Sequence, residues 1–254
     1  MKILCVGDIH AKTWIIPSVQ RLFESESFDK VVFLGDYLDD WNATPADNEM
    51  VATQLTKLYE QYGRHIVLLW GNHDLSNIRK GAFICSGYSP ANIVAANILS
   101  KLPLQFAYGH GNLLLTHAGV TNSWRKSVGL AEPIRYGAQY FADKLNELKA
   151  ECYNRTGTMR GGVDDPSPVW ADLEELKLDP VPNIDQVVGH TPVRECRMYN
   201  PAPELLGTRI VTCDTFSTYT NGIPYGDETV LGINDDFWGN FNVYNLHTME
   251  RKKR

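Results

Sequence analysis

Several absences narrow the reading first. No segment approaches the roughly 18 consecutive apolar residues that a membrane span needs, so an integral membrane helix is excluded. Cysteine is scarce: Cys5, Cys85, Cys152, Cys196 and Cys213 make five in 254 residues, an odd number with no CxxC pair. That usage excludes a disulfide framework and a zinc knuckle, and Cys5, set in an apolar run, reads as a small core hydrophobe. Positive charge is not in excess. A net charge of -6 argues against a strong nucleic-acid-binding surface, which needs a basic face. The one basic run, Arg251-Lys252-Lys253-Arg254, reads as a solvated terminus. No stretch rich in proline, glycine or serine divides the chain, and neither an internal repeat nor a low-complexity tract occurs. The expectation is one domain over residues 1–254, able to bury roughly three quarters of its unfolded surface. The first eight residues hold only a short apolar run ended by Asp8, which does not make a signal peptide. With the free thiols this sets a cytoplasmic expectation.

What is present is an alternation. Apolar runs at residues 3–6, 31–34 and 66–69 read as buried strands. Between and after them, residues 13–23, 46–62 and 91–102 carry apolar positions at helical spacing. Strand–helix–strand order of this kind predicts a parallel or mixed sheet with helices outside. The second half is less regular. Residues 113–115, 187–188, 210–213, 229–231 and 241–244 have strand character, and residues 138–153 read as a helix with Phe141, Leu145 and Leu148 on one face. Asn221-Gly222 and Gly239-Asn240 mark turns. Residues 154–168, with three glycines and two prolines, read as a long loop of the kind that can cover a site.

One pattern organises these runs. Three end in glycine followed by a metal-type ligand: Gly7-Asp8, Gly35-Asp36 and Gly71-Asn72. Two more end in Thr116-His117 and Gly189-His190. Ligands of open α/β sheets gather outside the carboxyl ends of the strands, so five strand ends of this type predict one site. Asp8, His10, Asp36, Asn72, His117 and His190 form a mixed oxygen and imidazole set without a thiolate. Such a set suits Mn2+, with Fe or Zn2+ as alternatives, rather than a soft metal. Asp36 is the central candidate for bridging two ions, and two ions roughly 3.5–4 Å apart can clamp a phosphoryl group and activate a bridging water as the attacking hydroxide.

Gly7-Asp8-Ile9-His10, Gly35-Asp36-Tyr37-Leu38-Asp39, Gly71-Asn72-His73-Asp74, His117-Ala118-Gly119 and Gly189-His190-Thr191 resemble, in order, the five motifs of the calcineurin-like metallophosphoesterases. They are most similar to the branch that holds Ser/Thr phosphoprotein phosphatases and symmetrical diadenosine tetraphosphatases. The resemblance runs over roughly residues 3–215, and five motifs at five strand ends make it specific. It implies a four-layer α/β/β/α sandwich of two mixed sheets, with a dimetal site at the strand ends. Asp8 and His10 would bind the first metal and Asp36 would bridge. Asn72, His117 and His190 would complete the second. His73 would protonate the leaving oxygen or hold the phosphate, with Asp39 orienting it, since an imidazole held by a carboxylate stays protonated longer.

The sequence departs from the phosphoprotein phosphatases at two places. Their GD-x-x-D motif is followed by Arg-Gly and their GNH is preceded by Arg, and those arginines grip phosphate. Here Asp40 and Trp70 stand there, and each charged hydrogen bond lost removes roughly 1.5–3 kcal/mol. Arg79, Arg125 and Arg160 are candidate replacements, although each also reads as an ordinary surface residue. Trp41, Trp70 and Trp170 could stack on a base or simply pack. Asp214 could support the site or cap a strand. His65, His110 and His247 read as structural. The leading expectation is an enzyme, a dimetal hydrolase of phosphomonoesters of phosphoprotein type. The alternative is a nucleotide pyrophosphohydrolase or phosphodiesterase, motivated by Asp40 and Trp70. A metal-free interaction scaffold is the third reading, disfavoured because all six ligands are present. Partners would be a phosphorylated protein or a nucleotide.

Overall fold

In a computed structural model, which describes residues 1–79, 85–131, 137–201, 208–234 and 241–253, the chain divides into two compact units. The first comprises Met1–Leu104, Pro192–Cys196 and Cys213–Arg254, and the second Gln105–Thr191 and Arg197–Thr212. Each is built on one mixed sheet with helices packed against it.

In the first unit, strands β1 (Ile3–Val6), β2 (Lys30–Phe33) and β3 (Ile66–Leu68) lie parallel and adjacent. Every residue of β1 and β3 is buried, as are three of the four in β2. This is why they read as continuous apolar runs rather than as an alternation. Crossover helices α1 (Ile15–Ser25) and α2 (Pro45–Tyr62) join them, followed by α3 (Asn72–Ile78) and α4 (Ile93–Leu99). Ile15, Val19 and Leu22 of α1 and Val51, Leu55 and Leu58 of α2 form one core with Leu4, Val31 and Phe33. Thr44 starts α2 by a reciprocal cap with Asp47, satisfying backbone groups that the first turn leaves without helical partners.

In the second unit, β4 (Ala107–His110) is antiparallel to β5 (Leu113–Thr116), which runs parallel to β6 (Asp185–Val188). Helices α5 (Asn122–Ser127), α6 (Gly137–Glu147) and α7 (Leu173–Leu178) belong to the same unit. The edge strand β7 (Arg197–Tyr199) pairs with β8 (Ile210–Thr212), giving the order β4-β5-β6-β8-β7. The first sheet is completed by β9 (Thr229–Ile233), β10 (Asn242–Asn245) and β11 (Arg251–Lys253), all antiparallel, in the order β11-β10-β9-β1-β2-β3.

The architecture of two mixed sheets flanked by helices is the expected one, with local differences. Helix α1 begins two residues later than its apolar spacing suggests, and α4 covers only Ile93–Leu99, after a single 3-10 turn at Pro90–Asn92. The helix expected over 138–153 stops at Glu147, and Ala150–Tyr153 forms a separate 3-10 turn. The tail is more ordered than a solvated terminus: Arg251, Lys252 and Lys253 pair with Tyr244, Val243 and Asn242 while staying exposed. Charged residues on an edge strand discourage pairing with another sheet. The Gly239-Asn240 turn and Arg254 lie outside the described residues. Among those described, no helix is long and apolar enough to cross a membrane.

Candidate metal centre

The parallel strands β1, β2 and β3 end side by side, and the chain leaves each towards a ligand: Asp8, Asp36 and Asn72. Glycines make this possible. A Cβ on Gly7 would run into the carbonyl of Cys213, and one on Gly71 into Asp36. Gly35 has φ +106°, a conformation that side chains rarely tolerate. Beyond the glycines the backbone itself is strained. His10, Ala11, Asp36, Asp39 and His190 all have positive φ, and each such residue costs on the order of 1–3 kcal/mol, which persists only where surrounding structure imposes it.

Asp8, His10 and Asp36 each offer one ligand atom, and these atoms lie within 4.8 Å of one another. The tautomer of His10 is fixed by its neighbour. Nδ1 lies 2.7 Å from the carbonyl oxygen of Asp39, an acceptor only, so Nδ1 carries the proton. Nε2 is left with its lone pair, 3.9 Å from Asp8 Oδ2 and 4.0 Å from Asp36 Oδ2. Those gaps exceed a hydrogen bond and suit an ion held between the groups. Burial pushes the pKa of His10 down to about 4, with Asp36 acting in the opposite sense and His73 and Lys12 in the same one. The ring is therefore neutral near pH 7, the state that binds metal. The donor set and its spacing fit a hard or borderline divalent ion.

His73 sits beside this cluster at the start of α3. Its backbone N–H donates to Asp36 Oδ1 at 3.0 Å, and Nε2 is 3.9 Å from Asp36 Oδ2. Its Nδ1 pairs with Asp39 Oδ2 at 3.0 Å. Burial alone would lower its pKa. The charge of Asp36 and the hydrogen bond that His73 donates to Asp39, joined by Cys85 and the charge of Asp39, outweigh it and raise the value to about 10. Two neighbouring imidazoles are thus driven apart, one neutral and one cationic, the separation that lets one be a ligand and the other an acid.

Support for this pair comes from residues to which the sequence alone gives no role. Asn48 accepts the backbone N–H of Asp39 at 2.8 Å. Asp74 accepts those of Tyr37 and Gly71 at 3.0 and 3.1 Å, tying the β2 exit to the β3 exit. Asn77 donates to the carbonyl of His73 at 2.9 Å. Gly87 touches the pair most closely, since a Cβ there would overlap both Asp39 Oδ2 and His73 Nδ1. Gly87→Ala is expected to force the pair apart and to lower kcat about 10–100-fold, because small misplacements of a catalytic group cost that much. Metal content by plasma mass spectrometry should not change. A kcat within twofold of wild type would show that the pair tolerates the methyl group.

In the second unit, β5 and β6 are parallel and end in His117 and His190. The 189–190 turn is tied to β5 by the Gly189 N–H donating to the carbonyl of His117 at 2.7 Å. His117 Nε2 and His190 Nδ1 stand 3.1 Å apart, both rings buried. Two ligands at right angles on one ion, each roughly 2.1 Å from it, would stand about 3 Å apart. The Trp170 ring meets His190 edge-on with centroids 6.1 Å apart.

The three arginines are placed differently. Arg125 is buried and holds its own turn together, donating to Asn122 Oδ1 at 2.9 Å and to the carbonyl of Leu130 at 2.6 Å. Arg160 donates to Thr191 Oγ1 at 3.0 Å, next to His190, and pairs with Asp172 at 3.1 Å. Arg79 is exposed at the end of α3. Asp214 accepts from Ser217 Oγ at 3.1 Å, Trp41 is exposed, and His247 stacks on Trp14. The 154–168 segment is pinned by backbone bonds from Asp164 to Thr156 and from Ser167 to Arg155.

A family model for calcineurin-like phosphoesterases matches residues 1–212. The chain belongs to that family. This calcineurin-like phosphoesterase is accordingly a metal-dependent hydrolase of phosphoesters, in a family that works with a dimetal centre. No curated protein matches its sequence. Among solved structures it is similar to the cold-active protein-tyrosine phosphatase of the psychrophile Shewanella sp., with TM-score 0.57 and 13% identity over 99% of this chain and 80% of that one. A point mutant of a cold-active protein tyrosine phosphatase gives TM-score 0.55 and 14% identity over 99% and 80%. A protein serine/threonine phosphatase from Saccharomyces cerevisiae gives 0.47 and 20% over 93% and 77%. At these identities the first two speak for the fold alone, and the third adds no argument.

Proposed function

We propose that this phosphoesterase hydrolyses phosphomonoesters, in the manner of a phosphoprotein phosphatase. The observation that carries the reading is the pairing of a carboxylate–imidazole cluster, Asp8, His10 and Asp36, with a cationic imidazole, His73, whose Nε2 stands 3.9 Å from Asp36. The proposed ligands are Asp8, His10, Asp36, Asn72, His117 and His190, the set that the family motifs assign, with Mn2+ as the favoured ion and Fe or Zn2+ as alternatives. When bound, the two ions supply charge neutralisation at the phosphoryl group and an activated water. His73 holds its proton on Nε2 and delivers it to the leaving oxygen, while Asp39 keeps the ring oriented through Nδ1. The neutral His10 keeps its lone pair towards the two carboxylates. Arg160, beside the His190 turn, is the arginine best placed to help hold substrate, and Arg79 and Arg125 are weaker proposals. One phosphoesterase domain over residues 1–254, in the reducing cytoplasm, is the proposed setting. It is supported by a family match that runs across both units and by five cysteines that are all free.

Asp40, Trp70 and the exposed Trp41 favour a second reading, cleavage of a nucleotide anhydride or diester with the base stacked on an indole. The Mn2+-loaded protein assayed on p-nitrophenyl phosphate, bis-p-nitrophenyl phosphate and diadenosine tetraphosphate separates the two. The monoester should be preferred in kcat/KM by about tenfold or more, roughly 1.4 kcal/mol in the transition state. Turnover of the diester or the dinucleotide alone would overturn the monoesterase reading.

A further inference from the structure

Beside His10 the first unit opens into a cavity of about 300 Å³, lined among others by Lys12, Trp14, Asp40, Asn42 and Thr218. Its polar wall is assembled around Asp40, the acid that stands where an arginine was expected. Asp40 Oδ2 accepts from Lys12 Nζ at 2.7 Å. Oδ1 accepts from the backbone N–H of Trp41 at 2.8 Å and from Thr218 Oγ1 at 3.0 Å. Asp40 is therefore saturated and neutralised, and these contacts hold its carboxyl below the usual carboxylate range against the opposing effect of burial. Its charge does not face the cavity uncompensated.

Lys12 is in the opposite condition. An ammonium has three donors and no acceptor, and among the described residues Lys12 Nζ makes this one hydrogen bond, although its side chain is only 11% exposed. The other acids of the wall are already engaged: Asp47 caps α2 through Thr44, and Glu228 pairs with His247 at 2.8 Å. A half-served cation, fixed by a saturated carboxylate and two residues along the chain from His10, faces a cavity large enough for a phosphoryl group.

Resting on the monoesterase reading, we infer that Lys12 binds substrate, with its free donors directed at an anionic oxygen of the phosphate or of the group next to it, and that Asp40 positions it. A guanidinium clamp is thus replaced from a different strand exit. Because the Lys12–Asp40 pair carries no net charge, its contribution is short-range and directional rather than a long-range attraction.

Inorganic phosphate is the probe, titrated by calorimetry into the Mn2+-loaded protein. Lys12→Met should raise its Kd by about fivefold or more, a loss at the level of one ordinary hydrogen bond. Lys12→Gln, which keeps a donor but no charge, should do the same and serves if the first variant fails to fold by circular dichroism. Lys12→Arg should stay closer to wild type than either. On p-nitrophenyl phosphate, KM should rise by a larger factor than kcat falls. The loss on bis-p-nitrophenyl phosphate, which carries one negative charge fewer, should be smaller. A rise in Kd below fivefold in the variant that folds, or no phosphate binding by wild type, overturns the assignment. Absence of monoester hydrolysis by wild type with phosphate binding intact and sensitive to Lys12 would instead overturn only the monoesterase reading.

Discussion

Asp36→Asn is expected to abolish hydrolysis, lowering kcat/KM by at least about a thousandfold, or roughly 4 kcal/mol of transition-state stabilisation. Asp36 is buried, its Oδ1 accepts the His73 N–H, and its Oδ2 faces both His10 and His73 across 3.9–4.0 Å. No other carboxylate of the cluster lies near both His10 and His73. Asparagine tolerates the positive φ of this position almost as well as aspartate does, so the backbone should survive and the change isolates one negative charge. Bound Mn2+ measured by plasma mass spectrometry should fall together with turnover of p-nitrophenyl phosphate. Retention of both ions with activity within tenfold of wild type would overturn the bridging role proposed for Asp36.

The second large effect belongs to His73. His73→Gln should lower kcat by about 10²–10⁴-fold, the usual contribution of a positioned general acid, while leaving metal content nearly unchanged. Its signature is a dependence on the leaving group. Phenol leaves poorly without a proton and p-nitrophenol leaves well without one. The variant should therefore lose more on phenyl phosphate than on p-nitrophenyl phosphate. An equal loss on both would mean that His73 holds the phosphate rather than protonating the departing oxygen. Asp39→Asn keeps a hydrogen-bonding side chain next to Nδ1 but withdraws its charge, so a smaller loss of about tenfold is expected.

Much of the candidate site is legible because the features that point to it are local. A buried parallel strand must be a run of apolar residues, its exit needs glycine where another backbone crosses closely, and a side chain of metal-binding type follows at once. Gly7-Asp8, Gly35-Asp36 and Gly71-Asn72 carry all three marks within a few residues. The elements that escaped notice take their structure from a partner instead. Ala107-Tyr108-Gly109-His110 becomes β4 only by pairing with β5, and Arg251-Lys252-Lys253 becomes β11 only because β10 offers an open edge. Neither has a pattern that would mark a strand on its own. Gly87 is the sharpest case. Nothing around it resembles a motif, and its importance lies in the space it leaves to Asp39 and His73. Lys12 is silent in the sequence for a similar reason: the role inferred for it depends on its contact with Asp40, which by sequence alone reads as an obstacle to phosphate binding.

The pairing of β1 with β9 carries a consequence for how the protein is made. Ile3 lies opposite Ile233, so β1 waits for a strand made far later in the chain before its second edge is covered. Until then the edge next to Cys5 is exposed to other chains, a situation that slows folding and invites aggregation. Asp8 and His10 hang from the end of that same strand. Nascent chains halted before residue 229 should therefore lack the anchoring that fixes Asp8 and His10.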